Sequence, residues 1–330
     1  MKRHLIAAAT VAVAALSLTA CGTSEPSTDD SAASASAKPA SQKITVTDAT
    51  GTKVTLDGPA TKVVATEWNV IEDLVTLGVA PVGVADVKGY TAWNTAAPLT
   101  GNPKDIGTRG EPSMDTVAAL APDLVVATDD LSPDVVTQLR KVAPVIQVTS
   151  ADGADQIGTM TKGLDLIAQA TGKTAEAETV KDEYEANIAK NKKALEDAGL
   201  GGASIASADG YVDANQVSVR AYTAKSLLGA VNEQLGLKNA WTVEGDKAYG
   251  LATTDVEGLT KLGDVHFAYV ANDVDGDAFA DNLSKNAVWK SLPFVKDGNV
   301  HRLPDGVWMF GGPRSMEAYA DSLVDALTKK

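Results

Sequence analysis

The sequence has very little sulfur or imidazole. Among its 330 residues are one cysteine, Cys21, and three histidines. A lone cysteine cannot close an internal disulfide, and zinc or copper sites draw on clustered Cys and His. Of the histidines, His266 and His301 each fall in a predicted strand, where a structural role is expected. No metal ligand set is therefore assigned. Positive charge is also scarce: 29 Lys and Arg stand against 43 Asp and Glu, a net charge of -14. That balance excludes a nucleic-acid surface, which needs a basic stripe, and leaves no polybasic membrane patch. No G-x-S-x-G elbow is present. Gly172-Lys173-Thr174 mimics the end of a phosphate loop, but Ile167 stands where that loop needs its first glycine. Asp273, Asp275 and Asp277 are spaced like a calcium loop, but Ala278 and Ser284 replace the required glycine and glutamate. With no nucleophile–base pair in view, the chain is not expected to be an enzyme.

Long apolar runs are missing too. The longest, Leu5 to Leu18, is too short to span a bilayer and follows Lys2 and Arg3, as a signal-peptide core does. It ends in Leu18-Thr-Ala-Cys21-Gly22, which resembles a bacterial lipobox. Residues 1–20 are read as a lipoprotein signal peptide and Cys21 as the lipidated residue. Residues 21–43, rich in Ser, Ala, Thr and Asp, are read as a disordered tether. The mature protein is then expected on the outer face of the cytoplasmic membrane, held by lipid.

From Ile44 onward the pattern is ordered. An alternating pair, Ile44-Thr-Val-Thr and Lys53-Val-Thr-Leu, reads as a β-hairpin. Short apolar strands then alternate with helices, which argues for largely parallel sheets covered on both faces. The expected fold is α/β, with an N-terminal lobe over 44–173, one long bridging helix over 174–198 and a C-terminal lobe over 199–330. The recurrence of helix, polar turn and strand at Val117–Val125 and Val256–Val265 suggests two similar Rossmann-like lobes.

Aromatics make up only 5% of the chain, yet four tryptophans fall at strand ends or in connections: Trp68, Trp93, Trp241 and Trp308. Ligands of open α/β sheets bind at the carboxyl ends of strands, where such rings form an apolar wall. Trp289 reads as core packing. Arg109 lies in Gly107-Thr-Arg-Gly-Glu-Pro, a loop that suits a planar donor fork facing an oxygen-rich group, or an ion pair with Glu111. Arg220 and Tyr222, in one predicted strand, and Arg314, after Gly311-Gly312-Pro313, are further ligand candidates, with a structural role as the alternative for the two arginines.

Several segments together resemble the siderophore and cobalamin binding-protein family, and within it the ferric-hydroxamate binders. They are Thr66-Glu67-Trp68 with Glu72, Leu77-Gly78-Val79, Gly83-Val84-Ala85-Asp86, Gly107–Pro112, Gly236–Trp241, Trp289–Val295 and Trp308-Met-Phe-Gly. The resemblance runs in register from Val63 to the C-terminus. It implies two lobes joined by one helix with the ligand in the cleft between them, and delivery of that ligand to an ABC importer permease. It places Arg109 against the iron-liganding oxygens and Trp68, Trp93, Trp241, Tyr249, Trp308 and Phe310 around the cleft. Iron stays inside its siderophore, so no cofactor and no protein metal ligand are implied. Glu72 and Glu233 match the acids that dock on the permease. One departure is the absence of an aromatic in Thr128–Pro133, where Asp129 and Asp130 instead favour a cationic, ferrioxamine-like ligand. Catecholate, citrate, cobalamin and haem remain open as ligands, as does an extracellular enzyme on the same scaffold. A monomer is expected.

Overall fold

The computed structural model describes residues 43–329 except 215. The segments read as signal peptide and tether, with Cys21, lie outside the described residues as far as residue 42. Among the described residues no helix is long and apolar enough to cross a membrane.

Order begins with a hairpin, β1 (Ile44–Thr47) and β2 (Lys53–Leu56), paired antiparallel with Ile44 opposite Leu56. Its turn is organised by the Asp48 carboxylate, which accepts from Thr50 N at 3.0 Å, Thr52 N at 2.9 Å and the Thr50 hydroxyl at 2.7 Å. Asp supports turns because its short carboxylate satisfies neighbouring backbone donors.

The N-terminal lobe alternates β3 (Val63–Ala65), α1 (Trp68–Thr76), β4 (Gly83–Val84), α2 (Val87–Trp93), β5 (Lys104–Asp105), α3 (Met114–Leu120), β6 (Leu124–Thr128), α4 (Pro133–Leu139) and β7 (Val145–Val148). The sheet order is β5-β4-β3-β6-β7, and every pairing is parallel. Every residue of β3, β6 and β7 is buried, as expected of strands covered by helices on both faces. The strand order reverses between β3 and β6, so a crevice opens beyond their carboxyl ends.

Two helices lead out of this lobe. α5 (Gln156–Thr171) ends at Gly172, which takes a left-handed φ of 70°, the conformation glycine adopts without penalty. α6 (Thr174–Asp197) runs for 24 residues, about 36 Å at the α-helical rise, and matches the expected bridge. The C-terminal lobe comprises β8 (Ser204–Asp213), β9 (Gln216–Tyr222), α7 (Leu227–Gln234), β10 (Lys238–Asn239), β11 (Leu251–Thr254), β12 (His266–Val270), α8 (Ala287–Ser291), α9 (Pro293–Lys296), β13 (Val300–Arg302) and α10 (Pro313–Thr328). Its sheet is mixed, in order β11-β9-β8-β12-β13 with β10 also on β8. β8, β12 and β13 are parallel, and β9 runs antiparallel between β8 and β11.

This lobe concentrates its aromatics around Phe267. That ring stacks on Phe294 at 5.2 Å and meets Phe279 at 5.5 Å and Trp289 at 5.6 Å. Trp289 is thus core, as its sequence setting suggested. His266 and His301 contact each other across neighbouring strands, Nδ1 to Nε2 at 3.2 Å, and burial pushes both imidazoles below their ordinary value. Trp93, expected in a connection, instead ends the helix Val87–Trp93. Asp86 caps it from a left-handed φ of 51°, accepting from Gly89 N.

Because Phe267 is fully buried at the centre of this cluster, Phe267→Ala should lower unfolding free energy by about 3–5 kcal/mol. Val274, which is exposed, should tolerate serine within about 0.5 kcal/mol. Urea titration followed by far-UV circular dichroism measures both.

Candidate functional site

The residues beyond the carboxyl ends of the N-terminal strands form one wall of a cavity of about 330 Å³: Glu67 and Asn69 after β3, Arg109 after β5, Thr128 at the end of β6 and Ser150 after β7. The facing wall is Arg220, Tyr249, Leu251, Trp308 and Phe310. Arg109 is fixed on three sides. Its Nη1 donates to Glu67 Oε1 at 2.9 Å, and its guanidinium lies 4.2 Å from the Trp68 ring centroid and 5.5 Å from that of Trp308. Glu67 is itself held, because the same oxygen accepts from Trp68 N at 2.7 Å and caps α1. The partner of Arg109 is therefore Glu67, not Glu111. Across the cavity Arg220 forks onto Asp209, Nε to Oδ1 at 2.8 Å and Nη2 to Oδ2, and lies 5.3 Å from the Phe310 centroid. Burial pushes the Asp209 carboxyl up, and the guanidinium against it opposes that shift. Each arginine thus has one carboxylate and an aromatic face.

A second chamber of about 430 Å³ adjoins the first, sharing Arg220 and Trp308. It is lined by Trp93, Tyr211, Asp209, Asp275, Asp277 and Asp281. Asp277 is engaged by Arg302 at 2.9 Å and Tyr269 at 3.1 Å, whereas Asp275 accepts from Trp93 Nε1 at 2.7 Å. That last bond joins the lobes, as does Asn272 Nδ2 to Ala92 O at 2.7 Å. At another point of the seam the Tyr249 hydroxyl donates to Asp130 Oδ2 at 3.0 Å and Gly153 N to Lys247 O at 3.1 Å. Burial pushes the Tyr249 phenol up to about 12, so it remains a neutral donor.

The structure brings together Arg109, Arg220, Tyr249, Trp308 and Phe310 on the cavity, with Trp93 on the adjoining chamber. Trp68 stands one layer back, buried and edge-on to Trp308 with centroids 4.6 Å apart. Four further expectations need correction. Trp241 belongs to the core of the C-terminal lobe: its Nε1 donates to Ser207 O at 2.8 Å and its ring meets Phe267. Tyr222 is fully buried behind Phe310, 6.0 Å between centroids, and supports the wall without lining it. Arg314 is paired with Glu183 and Glu317 between α6 and α10. Glu72 is not a surface acid. It is 0% exposed and accepts from Ser315 N at 2.8 Å, Ser315 Oγ at 2.6 Å and Asn94 Nδ2 at 2.6 Å. α10 has no side-chain cap of its own, so a carboxylate from α1 fills that role, where an anion is favoured. Glu233 is exposed on α7.

Glu67, Asn69, Asp209, Asp275 and Ser150 were missed from sequence. Asp209 had a readable signal: pairing Asp213 with Gln216 in the hairpin brings Asp209 opposite Arg220.

Residues 63–306 match the sequence profile described as periplasmic binding protein. The chain belongs to that family. Among curated relatives, the Fe(3+)-citrate-binding protein of Bacillus subtilis is 27% identical over 84% of this chain and 84% of its own. The iron(3+)-hydroxamate-binding protein of Escherichia coli is 27% identical over 82% of this chain and 88% of its own. A crystal structure of the Fe3+-Desferal-bound siderophore-binding protein of Vibrio cholerae superposes with a TM-score of 0.74 at 26% identity, covering 82% of this chain and 98% of that one. The triscatecholate siderophore-binding protein of B. subtilis shares the fold, with a TM-score of 0.71 at 19% identity.

The buried position of Glu72 makes a direct prediction. Glu72→Ala should destabilise the protein by about 1–3 kcal/mol for each donor left unsatisfied, whereas Glu233→Ala should stay within about 0.5 kcal/mol. Chemical denaturation of the two variants side by side measures the contrast.

Proposed function

We propose that the chain captures a ferric siderophore outside the cytoplasmic membrane and hands it to an ABC importer permease. A hydroxamate complex, neutral or cationic and ferrioxamine-like, is the favoured ligand. The observation that carries the ligand class is charge pairing. Arg109 and Arg220 offer donor forks to an oxygen-rich complex, yet each is balanced by its own carboxylate, Glu67 or Asp209. A tri-anionic catecholate or a citrate complex would need cleft cations in excess of anions. Here the adjoining chamber adds Asp275 and Asp281 instead. The relatives named for ferric citrate and ferric hydroxamate, and the Desferal-bound structure, agree with iron complexes as the ligand class. The aromatic wall of Trp308 and Phe310 suits the apolar backbone of a bulky chelate.

In this reading the protein binds and releases its ligand unchanged and is not an enzyme. The siderophore supplies every iron ligand, and the protein needs no cofactor. Lipidation at Cys21 would hold the monomer at the membrane, and exposed Glu233 would contribute to permease docking by steering.

The test is a titration of tryptophan fluorescence with ferrioxamine, coprogen, ferric citrate and a ferric catecholate, with haem and cobalamin as further arms. Saturable quenching by the hydroxamates is expected, weakened about 10- to 100-fold by Arg109→Ala through loss of a charged hydrogen-bond donor. Tight binding of only an anionic complex would overturn the hydroxamate assignment, and binding of none would overturn the transport role. Asp275→Asn should weaken an amine-bearing ferrioxamine more than its N-acylated, neutral analogue. Equal loss for both would remove the acidic chamber from ligand selection.

A further inference from the structure

A third space lies below the cleft, where α1, the start of α5 and the turn before α10 meet. It measures about 40 Å³, room for about three water molecules at roughly 10–15 Å³ each. It shares Asn69, Ser150, Tyr249 and Phe310 with the ligand cavity, so it ends at the cavity's floor. Asp73 lines it. This side chain is 5% exposed, yet Oδ1 has no hydrogen-bond partner among the described residues. Buried carboxylates are ordinarily paired or hydrogen-bonded; this one has neither kind of partner.

The titratable groups facing Asp73 are Glu72 on the same helix, Tyr90 on α2 and Tyr249 from the C-terminal lobe. Tyr90 is fully buried and its hydroxyl is committed to Ala97 O at 2.6 Å. The walls contributed by α5, α7 and the turn before α10 hold no ionisable side chain. Arg314, the nearest cation along that turn, is engaged with Glu183 and Glu317. Two adjacent buried carboxyls therefore share a site with no basic partner, a situation in which both cannot ionise cheaply. They are not equivalent. Burial pushes both carboxyls up, but Glu72 accepts three hydrogen bonds that oppose the shift and favour its charged form, whereas Asp73 accepts none among the described residues and is raised further.

We propose that the Glu72–Asp73 pair holds one proton, kept on Asp73, and that this neutral carboxyl binds ordered water in the chamber. That water seats the two lobes against each other beneath the ligand cleft. Glu72 keeps the charge and uses it to cap α10. Raising the pH ionises Asp73, places two like charges side by side and loosens the seam. The sign follows from linkage. Burial, then the Glu72 charge, raises the Asp73 carboxyl well above its ordinary value. The native state therefore binds more protons than the unfolded chain between those two values. Stability from this group is full below about pH 4 and is lost as pH rises through the native value.

The experiment uses the full chain without ligand, so its outcome is independent of the siderophore reading. In wild type carrying isotope-labelled aspartate, one carboxyl resonance should titrate well above all the others. Exchange of the Ser315 amide, which donates to Glu72, should accelerate over the same pH range. Asp73→Asn, a neutral mimic of the protonated acid, should lack that titration. Its melting midpoint should gain on wild type progressively as pH rises from about 4 through the native titration of Asp73. The proposal is overturned if the wild-type Asp73 carboxyl, assigned through its own backbone amide and so told apart from buried Asp209, titrates in the ordinary range, a result that does not depend on the variant folding. It is equally overturned if sodium, exchanged for choline at fixed ionic strength, stabilises wild type but not Asp73→Asn. In that case a cation, not a proton, meets the charge.

Discussion

The contact between Glu72 and the amino end of α10 sets the geometry on which the cleft depends. α1 grows out of β3 in the N-terminal lobe, whereas α10 closes the C-terminal lobe and packs along α6. A fully buried carboxylate joining them is tolerable because three donors and a helix amino terminus converge on it. The approach is close enough that a β-carbon at Gly311 would overlap both the Glu72 carboxylate and Ser315, and one at Gly312 would meet Asp73. Immediately before these glycines come Trp308 and Phe310. The same contact that ties the helices thereby holds the aromatic wall opposite Arg109.

Within the cleft, rings and charges constrain one another. Arg109 lies against Trp68 and Trp308 while bonded to a capping glutamate, and Arg220 lies near Phe310 while forked onto Asp209. Such arrangements limit each guanidinium to few orientations, which reduces the entropy lost when a ligand engages the remaining donors. The net field is also moderated, since neither arginine faces the cavity without a nearby anion.

The parts of the fold visible in the sequence are those whose cause is local. Val63–Ala65, Leu124–Thr128 and Val145–Val148 are apolar runs because both sheet faces are covered, and the long α6 announces itself by its Ala, Glu and Lys content. Val87–Trp93 was not legible. It contains Gly89, lacks an apolar stripe and depends on the Asp86 cap and on burial of Tyr90. In the site, Arg109, Trp308 and Phe310 could be placed because loops beyond strand ends converge in this architecture. Tyr222 and Trp241 were misplaced because sequence spacing does not say which strand end or sheet face turns toward the other lobe. Glu72 was the hardest to read. An acid on a helix looks solvated until its donors are known, and two of them lie 243 residues downstream on Ser315.

The stretch from Trp308 to Ser315 carries both the aromatic wall and the glycine pair that admits the Glu72 carboxylate. Its first half turns two rings to the ligand cavity, whereas in its second half a β-carbon at either glycine would overlap Glu72, Asp73 or Ser315. Altered ligand preference in this scaffold is therefore most accessible through point replacements at 308 and 310. Loop lengthening there would disrupt the attachment of a whole helix, which makes this segment a poor place for insertions and a good one for a small combinatorial library.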